Sequence, residues 1–259
     1  MSTRIHSTAI VHPGAKIASK VEIGPYSIIG ENVEIGEGSV IGNHVTITGH
    51  TIIGRDNRVF HYCSLGEVPQ DKKYNNEPTL LKIGDRNTIR EFCTFNCGTV
   101  QDKSETYIGN DNWIMAYVHI AHDCVLGNHL ILANNSSLAG HVEIDDYAIL
   151  GGFTLIHQYC KIGAHSITAV GSVIFKDISP FIIAAGYNAK PNGVNVEGLK
   201  RREFTVKDIA TIKKAYKVIY RDGNTIAEAT TILQKMIDES SFIEYYLDFI
   251  NKTSRGIAR

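Results

Sequence analysis

His119-Ile-Ala-His122-Asp123-Cys124 gathers two histidines and a carboxylate within six residues. An imidazole beside a carboxylate is the smallest general-base unit, because the carboxylate orients the ring and favours its charged form. Eighteen residues on, the chain reads Gly140-His141, and eighteen beyond that Gln158-Tyr159, with His157 alongside. A bare glycine stacked on a projecting histidine leaves room for a ligand and offers a backbone N–H to an oxyanion. The chain has 11 histidines, and any one of them is by default a solvated turn residue. The clustering of His122, Asp123, Gly140, His141 and Gln158 on adjacent stacks sets this group apart. A metal would need His119, His122 and a third histidine across a subunit interface. His119 and His122 belong to different hexapeptides, so no metal is expected.

The eighteen-residue offset matters because of what carries it. An aliphatic residue recurs every six positions: Ile5, Val11, Ile17, Ile23, Ile29, Ile35, Ile41, Ile47, Ile53, Val59, Leu65. The register resumes at Ile83, Ile89 and Phe95, then runs from Ile108 to Ile174, with Thr168 in one slot. A helix repeats at 3.6 residues and an ordinary strand at two. A period of six is the signature of a hexapeptide β-helix, in which short strands coil around one narrow core. Three hexapeptides make one triangular coil, so residues eighteen apart stack at about the 4.8 Å strand spacing. Glycine often follows the aliphatic residue, as at Gly36, Gly54, Gly84, Gly109 and Gly127, where the turn needs unusual φ/ψ or close backbone approach. A small or β-branched residue four places on also points inward.

The repeats break at residues 66–82 and 98–107, polar insertions of the kind that carry functional loops. They end near Asp177. The domains expected are 1–190, a β-helix with the two loops, and 191–259, a small helical domain. Thr205 with Asp208, Thr225 with Glu228, and Ser241 with Glu244 are capping-box patterns, each opening an apolar run at helical spacing. These runs are Ile209, Ile212, Tyr216 and Ile219, then Ile226, Ile232, Leu233 and Met236, then Phe242, Tyr246, Leu247 and Ile250.

A formal net charge of -1 over 259 residues argues against bulk nucleic-acid binding. No run of about 18 apolar residues exists to span a membrane. The polar start, Met1 to His6, lacks the apolar stretch of a signal peptide. Cys63, Cys93, Cys124 and Cys160 fall at the small inward slot and read as buried reduced thiols. Cys93 and Cys97 are spaced like half a zinc site that no second pair completes. A cytoplasmic location fits this usage. Outward Trp113, Tyr117, Phe153 and Tyr187 call for cover in a homo-oligomer.

A second cluster lies in Gly193-Val-Asn195-Val-Glu197-Gly-Leu-Lys200-Arg201-Arg202. An amide and an acid can read a base edge or ribose, and two arginines can clamp phosphate. A solvated basic helix entrance would look the same. From Lys200 to Arg221 there are eight Lys/Arg against Glu203 and Asp208, a face able to receive an acidic partner.

At these stretches, together with Leu132-Ala-Asn-Asn135, Leu138-Ala-Gly-His-Val142, Gly186 to Asn188 and Thr253-Ser-Arg-Gly256, the whole chain resembles the bacterial acyl-ACP:UDP-N-acetylglucosamine O-acyltransferases, which open lipid A synthesis. The Asn195–Arg202 stretch and the Gly66–Pro78 loop narrow the likeness beyond hexapeptide repeats. The resemblance implies a mainly β fold, a left-handed parallel β-helix followed by the helical domain, assembled as a homotrimer with sites between subunits. It implies transfer of an (R)-3-hydroxyacyl chain from the phosphopantetheine of acyl carrier protein to the 3-hydroxyl of UDP-N-acetylglucosamine, with no cofactor. His122 would be the general base, Asp123 its orienting group and Gly140 the oxyanion donor. Asp71, Lys73, His141, His157 and Gln158 match positions around the sugar nucleotide. Asn195, Glu197 and Arg201 match uridine and phosphate contacts, and His119 and Arg202 join the substrate-binding set. Val170 matches a position that helps set acyl length. A well-known relative has glycine there, and valine would favour a shorter chain.

Three other readings stand beside this one. The N-acyltransferase of the same pathway carries an extra N-terminal uridine domain, for which repeats beginning at Ile5 leave no room. A zinc carbonic anhydrase shares the solenoid. An ice-binding solenoid would show threonine ladders where this chain has irregular His, Asn and Gln.

Overall fold

The computed structural model describes residues 2–259. Among them, strands of mostly two residues pair with the strand three elements later, which builds three sheets of 11, 9 and 8 strands. Pairing is parallel throughout the coil: His119 and Ile120 align with Ser137 and Leu138, and these with Leu155 and Ile156. The offset is eighteen residues, as the period requires. The sixfold aliphatic residues form one continuous core running up the coil axis, from Val21 and Ile23 to Ile178 and Ala184. At the lower end Ile5 is 47 % exposed, because no coil among the described residues lies beneath it.

The corners show how the coil turns. Three places after the aliphatic residue the backbone enters the left-handed region, at Tyr26 (φ 59°), Asp123 (φ 59°) and His141 (φ 64°) among many others. The residues there are mostly polar or aromatic, none is β-branched, and each costs about 1–2 kcal/mol of backbone strain. The glycines after the aliphatic residue have a different reason. A Cβ on Gly36 would meet the carbonyl carbon of Gly54 at 2.5 Å, and one on Gly109 would meet the carbonyl carbon of Gly127 at 2.8 Å. Close approach of stacked backbones, not φ, selects glycine at this position.

The insertions interrupt the register without breaking the sheets. Ser64 pairs with Thr94, 30 residues on, and Thr88 with Trp113, 25 on, so the loops add twelve and seven residues to a coil of eighteen. They are narrower than the sequence pattern indicates. Gly66–Glu67 belongs to the strand Ser64–Glu67, Leu80–Ile83 pairs with His50–Ile53, and Glu105–Ile108 pairs in turn with Leu80–Ile83. The outward side chains are mixed polar and apolar there, which hid the strand character. The coil also runs past Asp177: Ile182–Ala185 extends the 11-stranded sheet before Lys190–Val194 folds back antiparallel on it. That hairpin crosses the 190/191 boundary read from the sequence.

Four helices follow: α1 Val196–Lys200, α2 Val206–Tyr220, α3 Ile226–Gln234 and α4 Ser241–Lys252. Thr205 and Thr225 form complete capping boxes with Asp208 and Glu228. The third expected box is absent. Ser240, in extended backbone, caps α4 through Phe242 N–H, which places Ser241 inside the helix. Ile232 is half-exposed, and Ala229 and Leu233 carry the buried face of α3. The helices close a second core around Phe181, Leu199, Ile212, Ile219 and Tyr246. Tyr245 Oη donates to Asp145 Oδ2 (2.6 Å) and Tyr220 Oη to Ser179 Oγ (2.6 Å), tying the helices to the coil. No helix among the described residues is long and apolar enough to cross a membrane.

The glycine ladder generates a stability prediction. An added Cβ at Gly54 would lie 2.6 Å from the Gly84 carbonyl oxygen. Gly54→Ala should destabilise the protein by about 1–3 kcal/mol, visible as an earlier urea midpoint. An unchanged midpoint would mean that the coil gives locally.

Candidate active site

His122 and Asp123 occupy one corner of the coil, between the strands His119–Ile120 and Val125–Leu126. Asp123, at a left-handed corner, lies under the second insertion, where its side chain is fully buried. A buried carboxylate is costly unless it is fully hydrogen-bonded. Here Thr99 N–H donates to both carboxylate oxygens (3.0 and 3.1 Å) and Thr99 Oγ1 donates to one (2.6 Å). Asp123 N–H donates to Thr106 Oγ1 at 2.9 Å. His122 Nδ1 completes the set, 2.8 Å from Asp123 Oδ2. Burial works to raise the Asp123 carboxyl, but the bonds from His122 and Thr99 outweigh it and hold it below its ordinary value. The carboxylate is therefore ionised and fixed, and His122 keeps Nε2 free.

The stack above has the expected neighbours. His141 N–H donates to the His122 carbonyl (3.0 Å) and Tyr159 N–H to the Gly140 carbonyl (3.1 Å). A Cβ on Gly140 would lie 2.6–2.7 Å from Cε1 and Nε2 of His122, so only glycine lets the imidazole sit there. No acceptor for the Gly140 N–H occurs among the described residues. The His141 ring stands edge-on to His122 (5.0 Å, 89°) and stacks on Tyr159 (4.2 Å, 6°). His122, Asp123 and His141 bring one possible ligand atom each within 4.8 Å. The carboxylate already accepts from Thr99 and faces His122, an arrangement of hydrogen bonds and not of open ligand positions.

The remaining predicted residues disperse. His119 lies on the flat face of its strand, its Nδ1 2.8 Å from Thr94 Oγ1, and burial lowers its pKa. His157 turns to the Gln158 carbonyl (3.2 Å) while Gln158 is exposed. Asp71 folds its own loop, accepting from Lys73 N–H at 2.9 Å, and Lys73 is exposed. No hydrogen bond or ion pair joins either to His122 among the described residues. Asn195 is buried as the cap of α1: Oδ1 accepts from Gly198 N–H (3.1 Å) and Nδ2 donates to the His165 carbonyl (2.9 Å). Glu197 pairs with Lys200 at 2.9 Å on the surface. Arg201 and Arg202 line a pocket of about 420 Å³ with Tyr147, His165, Glu203 and Phe204. Val170 is 77 % exposed at a coil corner. Thr99, Thr106 and Asp102 escaped sequence reasoning. The contacts of Thr99 and Asp102 reach from an insertion that no period describes, and Thr106 lies on the strand that follows it.

A parallel coil of six-residue repeats bearing a histidine–carboxylate pair defines a hexapeptide transferase, and the family described as bacterial transferase hexapeptide matches residues 2–35, 14–49 and 105–140. Residues 177–258 match the second domain of UDP-N-acetylglucosamine O-acyltransferase. A Thiobacillus denitrificans protein named acyl-(acyl-carrier-protein)–UDP-N-acetylglucosamine O-acyltransferase is 59 % identical over 98 % of this chain and 99 % of its own. A Neisseria gonorrhoeae protein of the same name is 55 % identical over 99 % of this chain and 100 % of its own. The Francisella novicida UDP-N-acetylglucosamine acyltransferase structure superposes with a TM-score of 0.96 at 44 % identity, covering 98 % of this chain and 94 % of that one. The chain belongs to the acyl-(acyl-carrier-protein)–UDP-N-acetylglucosamine O-acyltransferase family.

His165, on the wall of the arginine pocket, supplies a pH test. Its ring stacks between Tyr147 (4.9 Å) and Phe181 (5.7 Å), and its buried Nδ1 has no hydrogen-bond partner. Burial and the nearby Arg202 charge lower its pKa from 6.5 to about 4. As pH falls through 6.5 the unfolded chain takes up a proton that the folded one refuses, so stability drops toward pH 4 and levels below it. Between pH 7 and pH 5 the native protein should lose about 2 kcal/mol more than His165→Phe in urea unfolding. Parallel losses in both proteins would exclude His165 as the cause.

Proposed function

We propose that this chain transfers an (R)-3-hydroxyacyl group from acyl carrier protein to the glucosamine 3-hydroxyl of UDP-N-acetylglucosamine, the first step of lipid A synthesis. The observation that carries this reading is His122 Nδ1 at 2.8 Å from the buried Asp123 carboxylate. With Nδ1 committed, Nε2 takes the 3-hydroxyl proton as that oxygen attacks the thioester carbonyl. A C–O bond forms and the carbonyl electron pair moves to oxygen. The Gly140 N–H, beside the His122 ring, is the donor available to that oxyanion. Collapse breaks the C–S bond, and the phosphopantetheine thiolate leaves with the proton held by the imidazolium. The reaction needs no metal or redox cofactor, because a thioester is already activated.

The coil is read as left-handed and the assembly as a homotrimer with its sites between neighbours. Exposed aromatics support an assembly. Tyr26, His44, Tyr62, Phe92 and Tyr117 stack ring on ring along one corner, with centroids 4.8–5.1 Å apart, a stripe that water alone covers poorly. Asp71, Lys73, His119, His141, His157 and Gln158 are assigned to the sugar nucleotide. Asn195, Glu197, Arg201 and Arg202 are assigned to uridine and phosphate. The shared arginine pocket supports the last pair, and Asn195 contributes by capping the helix that leads into them. The helices from Val196 onward are read as the second domain, and a cytoplasmic location fits a reaction on acyl carrier protein.

His122→Ala should lower transfer from 3-hydroxyacyl carrier protein by about 10²–10⁴-fold with the assembly intact. Equal rates would remove His122 from the mechanism. No transfer by the native protein would direct attention to a 3-amino acceptor. Val170 is read as narrowing the acyl groove, so Val170→Gly should shift the preferred donor toward longer chains. An unchanged profile across donor lengths would sink that assignment.

A further inference from the structure

Beside the His122–Asp123 pair stands a second histidine with a carboxylate of its own. His141 Nδ1 lies 2.7 Å from Asp102 Oδ2 and 3.9 Å from Asp123 Oδ2, so Asp102 is its partner. Asp102 comes from the second insertion, 39 residues away in sequence. The His141 side chain is only 9 % exposed and the Asp102 side chain 36 %. Lys103 Nζ approaches Asp102 at 3.6 Å and Glu143 at 3.3 Å, and Lys161 holds Glu143 at 2.8 Å. This run of alternating charges anchors the loop to the coil wall. The His141 ring is then fixed on two sides, by Tyr159 against its face and Asp102 at Nδ1. A carboxylate bonded to one ring nitrogen sets the tautomer and leaves the other nitrogen for substrate.

We propose that Asp102 is a positioning residue for His141, holding the ring in the Nδ1–H tautomer so that Nε2 is presented to the acceptor sugar nucleotide. The role in turnover rests on the acyl-transfer reading above, whereas the tautomer does not. Thr99, on the same insertion, does the equivalent service for Asp123, so the loop fixes both histidines at once.

Two measurements test this. In ¹⁵N NMR of the full-length protein, neutral His141 should be a single Nδ1–H tautomer, and Asp102→Ala should convert it to a mixture with Nε2–H. In steady-state assays, Asp102→Ala should raise KM for UDP-N-acetylglucosamine about five- to tenfold, the worth of one positioned hydrogen bond, with kcat and the KM for acyl carrier protein within about twofold. Asp102→Glu should recover part of the loss, and Asp102→Ala should add nothing in a His141→Ala background. A mixed tautomer in the native protein, an unchanged tautomer in Asp102→Ala, or a full additional loss in the His141→Ala background would overturn the proposal. Absence of transfer by the native protein would overturn the function reading instead, and the NMR result would still decide the role of Asp102.

Discussion

Everything in this molecule depends on one constraint: each strand must lie directly over the strand three elements before it, eighteen residues away wherever no insertion intervenes. Parallel hydrogen bonding between coils fixes that stacking, as in the alignment of Trp113 with Ile131 and Ile131 with Ile149. The aliphatic residue of each hexapeptide then has nowhere to go but the axis, and the core is continuous. The corner residue must enter the left-handed region, and stacked glycines must let backbones approach. Strain at each corner is offset by the ladder and by rings that stack there, such as His129 on Tyr147 and Tyr147 on His165.

The same constraint builds the candidate active site. A residue on one coil meets those eighteen away, so His122 lies against Gly140, and His141 lies against Tyr159. A rigid scaffold of this kind holds side chains in place more firmly than a loop can. What the coil cannot supply is a set of partners for a carboxylate buried at a corner. The second insertion provides it, with Thr99 donating three bonds to Asp123. An interruption that adds nothing to the core thus makes the buried charge affordable.

Much of this was legible beforehand. The sixfold period predicted the coil, its triangular stacking and the inward thiols, and all five cysteines are buried and free. Thr205 and Thr225 cap helices as their spacing indicates, since a capping box is a local interaction. Ser241 did not, because Ser240 offers the same hydroxyl one residue earlier, in extended backbone, and accepts from Phe242 N–H. The edges of both insertions were misread for a related reason: strands there pair over four residues with mixed outward side chains beside polar loops, and composition alone does not separate the two.

By itself the sequence determined the period, and through it which residues stack: His122 with Gly140, Asp123 with His141, His141 with Tyr159. Only the tertiary structure decided which acceptor His141 faces and which donors satisfy Asp123. The Thr99–Asp123 and Asp102–His141 contacts span 24 and 39 residues through an insertion that carries no repeat. A periodic pattern transmits position along the coil, but a loop that leaves the coil returns where packing and charge allow. That return path is a property of the folded chain.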